Sequence, residues 1–260
     1  MSNILENKSI LVTGSSSGIG YAIAKQALAA GANVMLHGSN ADKLKEAASS
    51  LGDKTQWVVA DLSDSDAPEI MMQACIDAFG DIDGLVNNAG IFPRSTIDTS
   101  EDDDFDRIFH INTRAPLMLC KYFVANCRER STAGSIVNIG SINAWCGGND
   151  LLIYSMSKGA LMTMTRNLGD ALSEENIRVN QLNVGWTLTD GEKAMQKSLG
   201  APDNWHENIP LAAAPRGQLL QPHEIANHVV FWLSDLSAPV TGSVYEIEQY
   251  PVIGRNKIAG

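Results

Sequence analysis

Ser9-Ile-Leu-Val12 runs directly into Thr13-Gly14-Ser15-Ser16-Ser17-Gly18-Ile19-Gly20, then into Tyr21-Ala-Ile-Ala-Lys-Gln-Ala-Leu-Ala-Ala30 with Gly31 behind it. The first piece is a short apolar run, which predicts a buried strand. The last is alanine-rich and stopped by glycine, which predicts a helix. A strand, a glycine turn and a helix in that order make an anion cradle. Glycines let backbone approach a pyrophosphate, and the helix N-terminus points free N–H groups at it. Working outward, further strands are predicted near Asn33–His37, Trp57–Ala60, Leu85–Asn87, Ile136–Ile139, Arg178–Leu182 and Val244–Ile247. Helical patterns fill the intervals, with long ones over 101–129 and 151–174. Such alternation predicts an α/β fold: a parallel sheet with helices on both faces.

A second pattern carries chemistry. Ser141 is followed by Tyr154 and then by Lys158 within Tyr154-Ser-Met-Ser-Lys158. The i,i+4 spacing places tyrosine and lysine on one helix face. A free phenol, with pKa ~10, is only about one part in a thousand ionised at neutral pH. An ammonium alongside favours the phenolate, and bringing that pKa to about 7 takes roughly 4 kcal/mol of differential interaction. The expectation is that Lys158 lowers the Tyr154 pKa while the Ser141 hydroxyl holds a substrate oxygen. A Tyr-x-x-x-Lys pair alone is usually a plain helix face; its weight comes from its neighbours.

Composition sets the bounds. The 260 residues suffice for one α/β domain, expected to span 1–260. The net charge of −11 argues against a nucleic-acid partner. No apolar run approaches the length of a membrane span, and Met1 to Lys8 lack an apolar signal region, so a cytoplasmic location is expected. Cys75, Cys120, Cys127 and Cys146 form no Cys-x-x-Cys pair and read as reduced thiols. Glu101-Asp102-Asp103-Asp104 lacks the glycine and spacing of a calcium loop and reads as a helix start. The five histidines show no zinc spacing, so no metal is expected. The stretch 186–216 is long for a connection and is expected to act as a substrate lid.

Taken together, the motifs resemble the short-chain dehydrogenase/reductase family over nearly the whole chain. The glycine turn matches from Thr13 to Gly20, and the family's Asn-Asn-Ala-Gly stands at Asn87-Asn88-Ala89-Gly90. Its catalytic asparagine, serine, tyrosine and lysine match Asn112, Ser141, Tyr154 and Lys158. The resemblance implies a Rossmann-type, doubly wound, seven-stranded parallel sheet and an NAD(P)-dependent oxidoreductase working between a secondary alcohol and a carbonyl. It implies that the cofactor meets Gly14, Ser16, Ser17, Gly18, Ile19 and Gly20 in the first turn, and Ser39 and Asn40 after the second strand. Asp61 and Leu62 follow the third strand, Asn88, Ala89 and Gly90 the fourth, and Gly185, Thr187 and Thr189 the sixth, with Tyr154 and Lys158 at the nicotinamide. Asn112 is expected to position a water linking Lys158 to solvent. Two departures stand out. Val184 replaces the proline before Gly185, and Glu248-Gln249-Tyr250 runs on where the family often has Asp-Gly-Gly.

Finer expectations follow. Gly38 stands where NAD enzymes carry an aspartate, so NADP(H) is favoured, with NAD(H) possible because no Arg or Lys lies between Lys25 and Lys43. The substrate is expected to be a small hydroxylated molecule: a sugar, polyol or sugar acid. Arg94, Ser141, Asn143, Trp145, Trp186 and His206 are the expected contacts, with Arg94 placed to meet a carboxylate. The alternatives are an acyl thioester on a carrier protein and a non-catalytic dinucleotide sensor; sensors typically lose the tyrosine or lysine kept here. The resemblance also implies a homo-tetramer, or a dimer if the altered C-terminus weakens one interface. Leu117, Leu119, Phe123, Leu161, Met162 and Met164 were the apolar positions expected to support it.

Overall fold

The structure, a computed structural model, describes residues 3–145 and 147–253. Cys146, one of the thiols read as reduced, lies outside the described residues. Seven strands form one parallel sheet: β1 (Ser9–Val12), β2 (Asn33–Gly38), β3 (Thr55–Val59), β4 (Gly84–Asn87), β5 (Gly134–Ser141), β6 (Ile177–Val184) and β7 (Val244–Ile247). Their order across the sheet is β3-β2-β1-β4-β5-β6-β7. The order reverses direction between β1 and β4, the place where open α/β sheets leave a crevice at their carboxyl ends.

Eight α-helices stand among the described residues, α7 alone without a buried residue: α1 (Gly18–Ala29), α2 (Ala41–Leu51), α3 (Ala67–Phe79), α4 (Asp102–Phe109), α5 (Ala115–Arg130), α6 (Leu152–Ala171), α7 (Asp190–Ser198) and α8 (Pro222–Leu233). One core holds Ile23, Ala24 and Ala27 of α1, Leu44 of α2, and Ile225, Val229 and Val230 of α8 against Val12, Leu36, Val137 and Leu182. The other holds Met71 and Cys75 of α3 and Leu119 and Phe123 of α5 against Leu11, Met35, Leu85 and Val179. Strands β1, β2, β4, β5 and β6 are buried over almost their whole length because both faces are covered. Burial pushes the Cys75 and Cys120 thiols up to about 12, which keeps them protonated.

Three features refine the sequence reading. The helix expected over 101–129 is two helices joined by a π-turn at His110–Arg114. The stretch 186–216 contains a helix, α7, started by Thr189, whose side chain accepts from Glu192 N at 3.0 Å. Val184, standing in place of proline, keeps β6 in the ladder: it is in register with Ser141 and Ile247, and Gly185 N donates to Ile247 O at 2.9 Å. Valine has the N–H and the free φ that proline lacks.

Buried amides fix α6 to the sheet. Asn87 Nδ2 donates to Asn138 Oδ1 at 2.8 Å, Asn138 Nδ2 donates to Thr165 Oγ1 at 2.8 Å, and Thr165 Oγ1 lies 2.9 Å from Gln181 Oε1. All four residues are buried. A low local dielectric strengthens such bonds and makes breaking them costly. The network therefore holds the helix bearing Tyr154 and Lys158 at a fixed height above β5 and β6.

Candidate active site

The glycine turn closes tightly. A Cβ on Gly20 would lie 2.3 Å from Gly14 O and 2.5 Å from Asn88 Nδ2, so only glycine fits. Asn88 holds the turn from the next strand, its Nδ2 donating to Thr13 O at 2.8 Å. Thr13 Oγ1 in turn accepts from Asn88 N and Ala89 N, both at 2.9 Å. Ser17 precedes α1 in extended backbone and makes no side-chain cap. The first N–H groups of α1 are thus left to an external acceptor.

A cavity of about 380 Å³ opens over this turn, lined by Gly14, Ser16, Ser17, Gly18, Ile19, Gly20, His37, Gly38, Ser39, Asp61, Leu62, Asn88, Ala89, Gly90 and Thr189. A second, of about 550 Å³, continues from it through Ile19, Asn88, Gly90 and Thr189 and is lined also by Arg94, Ser141, Asn143, Tyr154, Lys158, Gly185, Trp186 and Thr187. The shared residues make one cleft along the carboxyl ends of the strands. Its shape, free helix N-terminus and glycine floor fit a dinucleotide. A cavity of about 660 Å³ lies at the opposite, amino ends of the strands, around Lys8, Asp83, Arg128, Glu175 and Arg178, away from these residues. Its cations are engaged: Arg128 with Glu175 at 2.7 Å, Lys8 with Asp235 at 3.8 Å, and Arg178 with the carbonyls of Trp232 and Ser234.

Around the reacting groups the geometry is close. Ser95 ties down the start of α6, its O accepting from Leu152 N at 3.0 Å and its Oγ from Ile153 N at 3.2 Å. Tyr154 packs edge-on against Phe92, with ring centroids 6.0 Å apart. Lys158 Nζ donates to Ile139 O at 2.9 Å and lies 5.8 Å from the Tyr154 ring centroid. Burial brings the lysine down to about 8. Here the expectation for Tyr154 is corrected: burial holds its phenol above the ordinary value, and the group working the other way is the hydrogen-bonded Ser141 hydroxyl, not Lys158. Asn112, in the π-turn, accepts from Ile91 N at 2.9 Å on Oδ1 and donates from Nδ2 to Ile91 O at 2.8 Å and to Ser157 Oγ at 3.0 Å.

Three expected contacts stand elsewhere, and a fourth is already paired. Asn40 caps α2, accepting from Lys43 N at 2.9 Å, and does not line the cleft. Trp145 turns its indole away, donating to Glu246 Oε1 at 2.7 Å under the Arg166 guanidinium. His206 packs edge-on against Trp205, which stacks on Trp186 with centroids 5.4 Å apart, so that turn faces its own apolar cluster of Ile209, Ala214 and Leu219. Arg94 does line the cavity, but its Nη1 donates to Asp150 Oδ2 at 2.9 Å. The carboxylate it meets is the protein's own.

Other residues line it too: Leu151 lies between Ser141 and Tyr154, and Glu192 and Gln196 lie in the 186–216 stretch expected as a lid, whereas Phe92, Glu248 and Tyr250 escape the sequence reading. Glu248 and Tyr250 had a signal, the departure from Asp-Gly-Gly. His37 was missed as well. Its Nδ1 accepts from Gly14 N at 3.2 Å and its Nε2 donates to Ala60 O at 3.1 Å, joining the glycine turn to the end of β3.

Comparison with known proteins follows this geometry. A family model described as enoyl-(acyl carrier protein) reductase matches residues 14–249. L-xylulose reductase of Caenorhabditis elegans is 32% identical, covering 93% of this chain and 94% of that protein. The crystal structure of L-sorbose reductase from Gluconobacter frateurii, complexed with NADPH and L-sorbose, superposes with a TM-score of 0.90 at 31% identity, covering 95% of this chain and 97% of that one. The 3-ketoacyl-(acyl-carrier-protein) reductase of Brucella melitensis, complexed with NADH, gives a TM-score of 0.82 at 28% identity, covering 94% and 97%. The motifs from Thr13 to Lys158, the doubly wound sheet and these matches agree: the chain belongs to the short-chain dehydrogenase/reductase family and is an oxidoreductase that uses a nicotinamide cofactor.

Proposed function

We propose that the protein interconverts a secondary alcohol and a carbonyl on a small hydroxylated substrate, a sugar, polyol or sugar acid, with NADP(H) preferred. The observation that carries the reading is the placement of Ser141, Tyr154 and Lys158 in a cavity continuous with the glycine-turn cleft. The nicotinamide, when bound, donates or accepts the hydride at the substrate carbon. Tyr154 gives its phenolic proton to the substrate oxygen in reduction and takes it back in oxidation. Ser141 holds that oxygen in line. Lys158 keeps a positive charge beside the site, since a lysine near 8 stays mostly protonated at pH 7. Asn112 positions the Gly90-Ile91 turn and the water route towards Lys158. The 186–216 stretch, with α7, forms the lid.

Polar side chains in this cavity, Asn143, Gln196 and Ser141 among them, favour a substrate with several hydroxyls, because a buried polar group left unpaired is costly. The tests are direct. Polyols, aldoses, ketoses, sugar acids, 3-oxoacyl thioesters and hydrophobic ketones are screened side by side at the reduced-cofactor absorbance. The best kcat/KM is expected on a hydroxylated compound; a thioester or hydrophobic ketone in first place ends this reading. The cofactor preference rests on Gly38 and Ser39 lining the cleft without a carboxylate at the family's aspartate position. Tighter binding of NADP(H) than of NAD(H) in paired titrations is expected, and the reverse order refutes it. We propose a homo-tetramer as the assembly.

A further inference from the structure

The polar groups of His37 are all engaged with the walls of the cleft above the glycine turn. Its backbone N donates to Ser15 Oγ at 3.0 Å, and its O accepts from Ser15 N at 2.9 Å. Its ring Nδ1 accepts from Gly14 N at 3.2 Å, and its Nε2 donates to Ala60 O at 3.1 Å. Gly14 and Ser15 belong to the glycine turn. Ala60 leads into Asp61 and Leu62, whose place is fixed in turn by Ser63, its N and Oγ donating to Asp61 Oδ1 at 2.9 and 2.7 Å. The ring therefore spans from one wall of the 380 Å³ cavity to the other, and His37 lines that cavity itself. It does not line the part that holds Ser141, Tyr154 and Lys158.

The partners decide the state of the ring. A backbone N–H can only donate and a carbonyl can only accept, so the imidazole is neutral with its proton on Nε2. Burial works the same way: it holds the ring down at about 4, more strongly than the Ala60 carbonyl and the Asp61 carboxylate raise it. His37 is only 3% exposed, so water does not stand in for a lost partner, and a buried donor left unpaired is costly.

We propose that His37 is a positioning residue for the dinucleotide: its neutral imidazole fixes the spacing between the glycine turn and the 60–62 loop, and so sets how tightly the cofactor is held there, with no part in hydride or proton transfer. The inference rests on the use of a nicotinamide cofactor, not on the choice of substrate. Walls already spaced for the ligand bind it without the cost of ordering them.

The test separates binding from chemistry. NADPH, NADH and 2′-phospho-ADP-ribose, which lacks the nicotinamide, are titrated by calorimetry into the parent and into His37→Leu, His37→Asn and His37→Gln. The leucine variant loses both ring bonds, and each ligand that binds the parent is expected to weaken at least about tenfold. Asparagine keeps an acceptor for Gly14 N and glutamine a donor for Ala60 O, so each is expected to lie between parent and leucine. The kcat at saturating cofactor is expected to stay within about threefold. Parental dissociation constants with only a lower Tm assign the ring to packing and overturn the proposal. A fall in kcat at unchanged affinity overturns it as well, by placing the residue in the chemistry. In nitrogen NMR of the parent, the His37 ring, assigned by its loss in His37→Asn, is expected as the neutral Nε2–H tautomer at pH 7. An Nδ1–H tautomer or an imidazolium there overturns the proposal even if the leucine variant does not fold.

Discussion

At the scale of single residues, two side chains carry distinct predictions. Tyr154→Phe removes the transferable proton and keeps the ring that packs on Phe92. Turnover is expected to fall about 100- to 10,000-fold while the cofactor dissociation constant holds; full turnover in the variant would remove the phenol from the reaction. His37 predicts acid sensitivity. Burial holds its imidazole down at about 4, against 6.5 for the free side chain. Its folded pKa therefore lies below its unfolded one, so the unfolded chain takes the proton first. Stability is full above 6.5 and is lost as pH falls from 6.5 through 4, by roughly 3 kcal/mol. His37→Gln should flatten that slope in urea unfolding measured across the window; a parental slope would assign the sensitivity to other groups. Ser141, Tyr154 and Lys158 were legible because their spacing is fixed by one strand and one helix. The Tyr154 ionisation was not, because it depends on burial, which no local spacing reports. A lone histidine such as His37 has no pattern to betray it, and Trp145 looked like a sugar platform until Glu246, 101 positions away, was found to hold it.

Among the elements, the seven strands were readable from apolar runs bounded by turn residues, and only their ends shifted. The joint between α4 and α5 was not. A single π-turn shifts the helical phase too briefly to stand out in a short window, yet it puts Asn112 where both of its amide atoms meet Ile91. The glycine turn offers the element-scale test. In Gly20→Ala the added methyl would collide with Gly14 O, so the turn must open. Cofactor binding is expected to weaken at least about tenfold, with a lower Tm, in parallel titration and thermal unfolding. An alanine variant with parental affinity would show that the turn has slack. The helix α7 inside the 186–216 stretch is not legible in the sequence because its polar composition gives few apolar anchors; Thr189 followed by Glu192 is its start signal.

For the whole molecule, no helix among the described residues is long and apolar enough to cross a membrane. Leu119, Phe123, Leu161 and Met162, expected to support subunit contacts, are buried in the protein's own core instead. On the helices and strand the family pairs through, exposed apolar side chains include Phe105, Leu117 and Met156 on α4, α5 and α6, and Phe231 and Tyr245 on α8 and β7; others, such as Trp57, Ile70 and Ile97, lie elsewhere. The proposed tetramer predicts four times the mass of one chain in light scattering. Leu117→Glu should reduce that to a smaller species; a monomer in the parent would dismiss the assembly altogether. Sequence reading could not sort these positions, since a helix between core and neighbour is apolar on both sides. Trp186, whose indole donates to Glu192 Oε1 at 2.8 Å and whose backbone N–H donates to Glu248 Oε2 at 3.3 Å, has a consequence for how such a protein changes over generations. The residues proposed to handle the proton, Ser141 and Tyr154, sit on β5 and α6, while the carboxylates Glu192 and Glu248 hang from α7 and the tail of β7. Selection for a new substrate can therefore work on 186–196 and 248–250 and leave the reaction untouched. A library confined to those two short windows should yield altered preference at conserved rate far more often than one spread over 87–158.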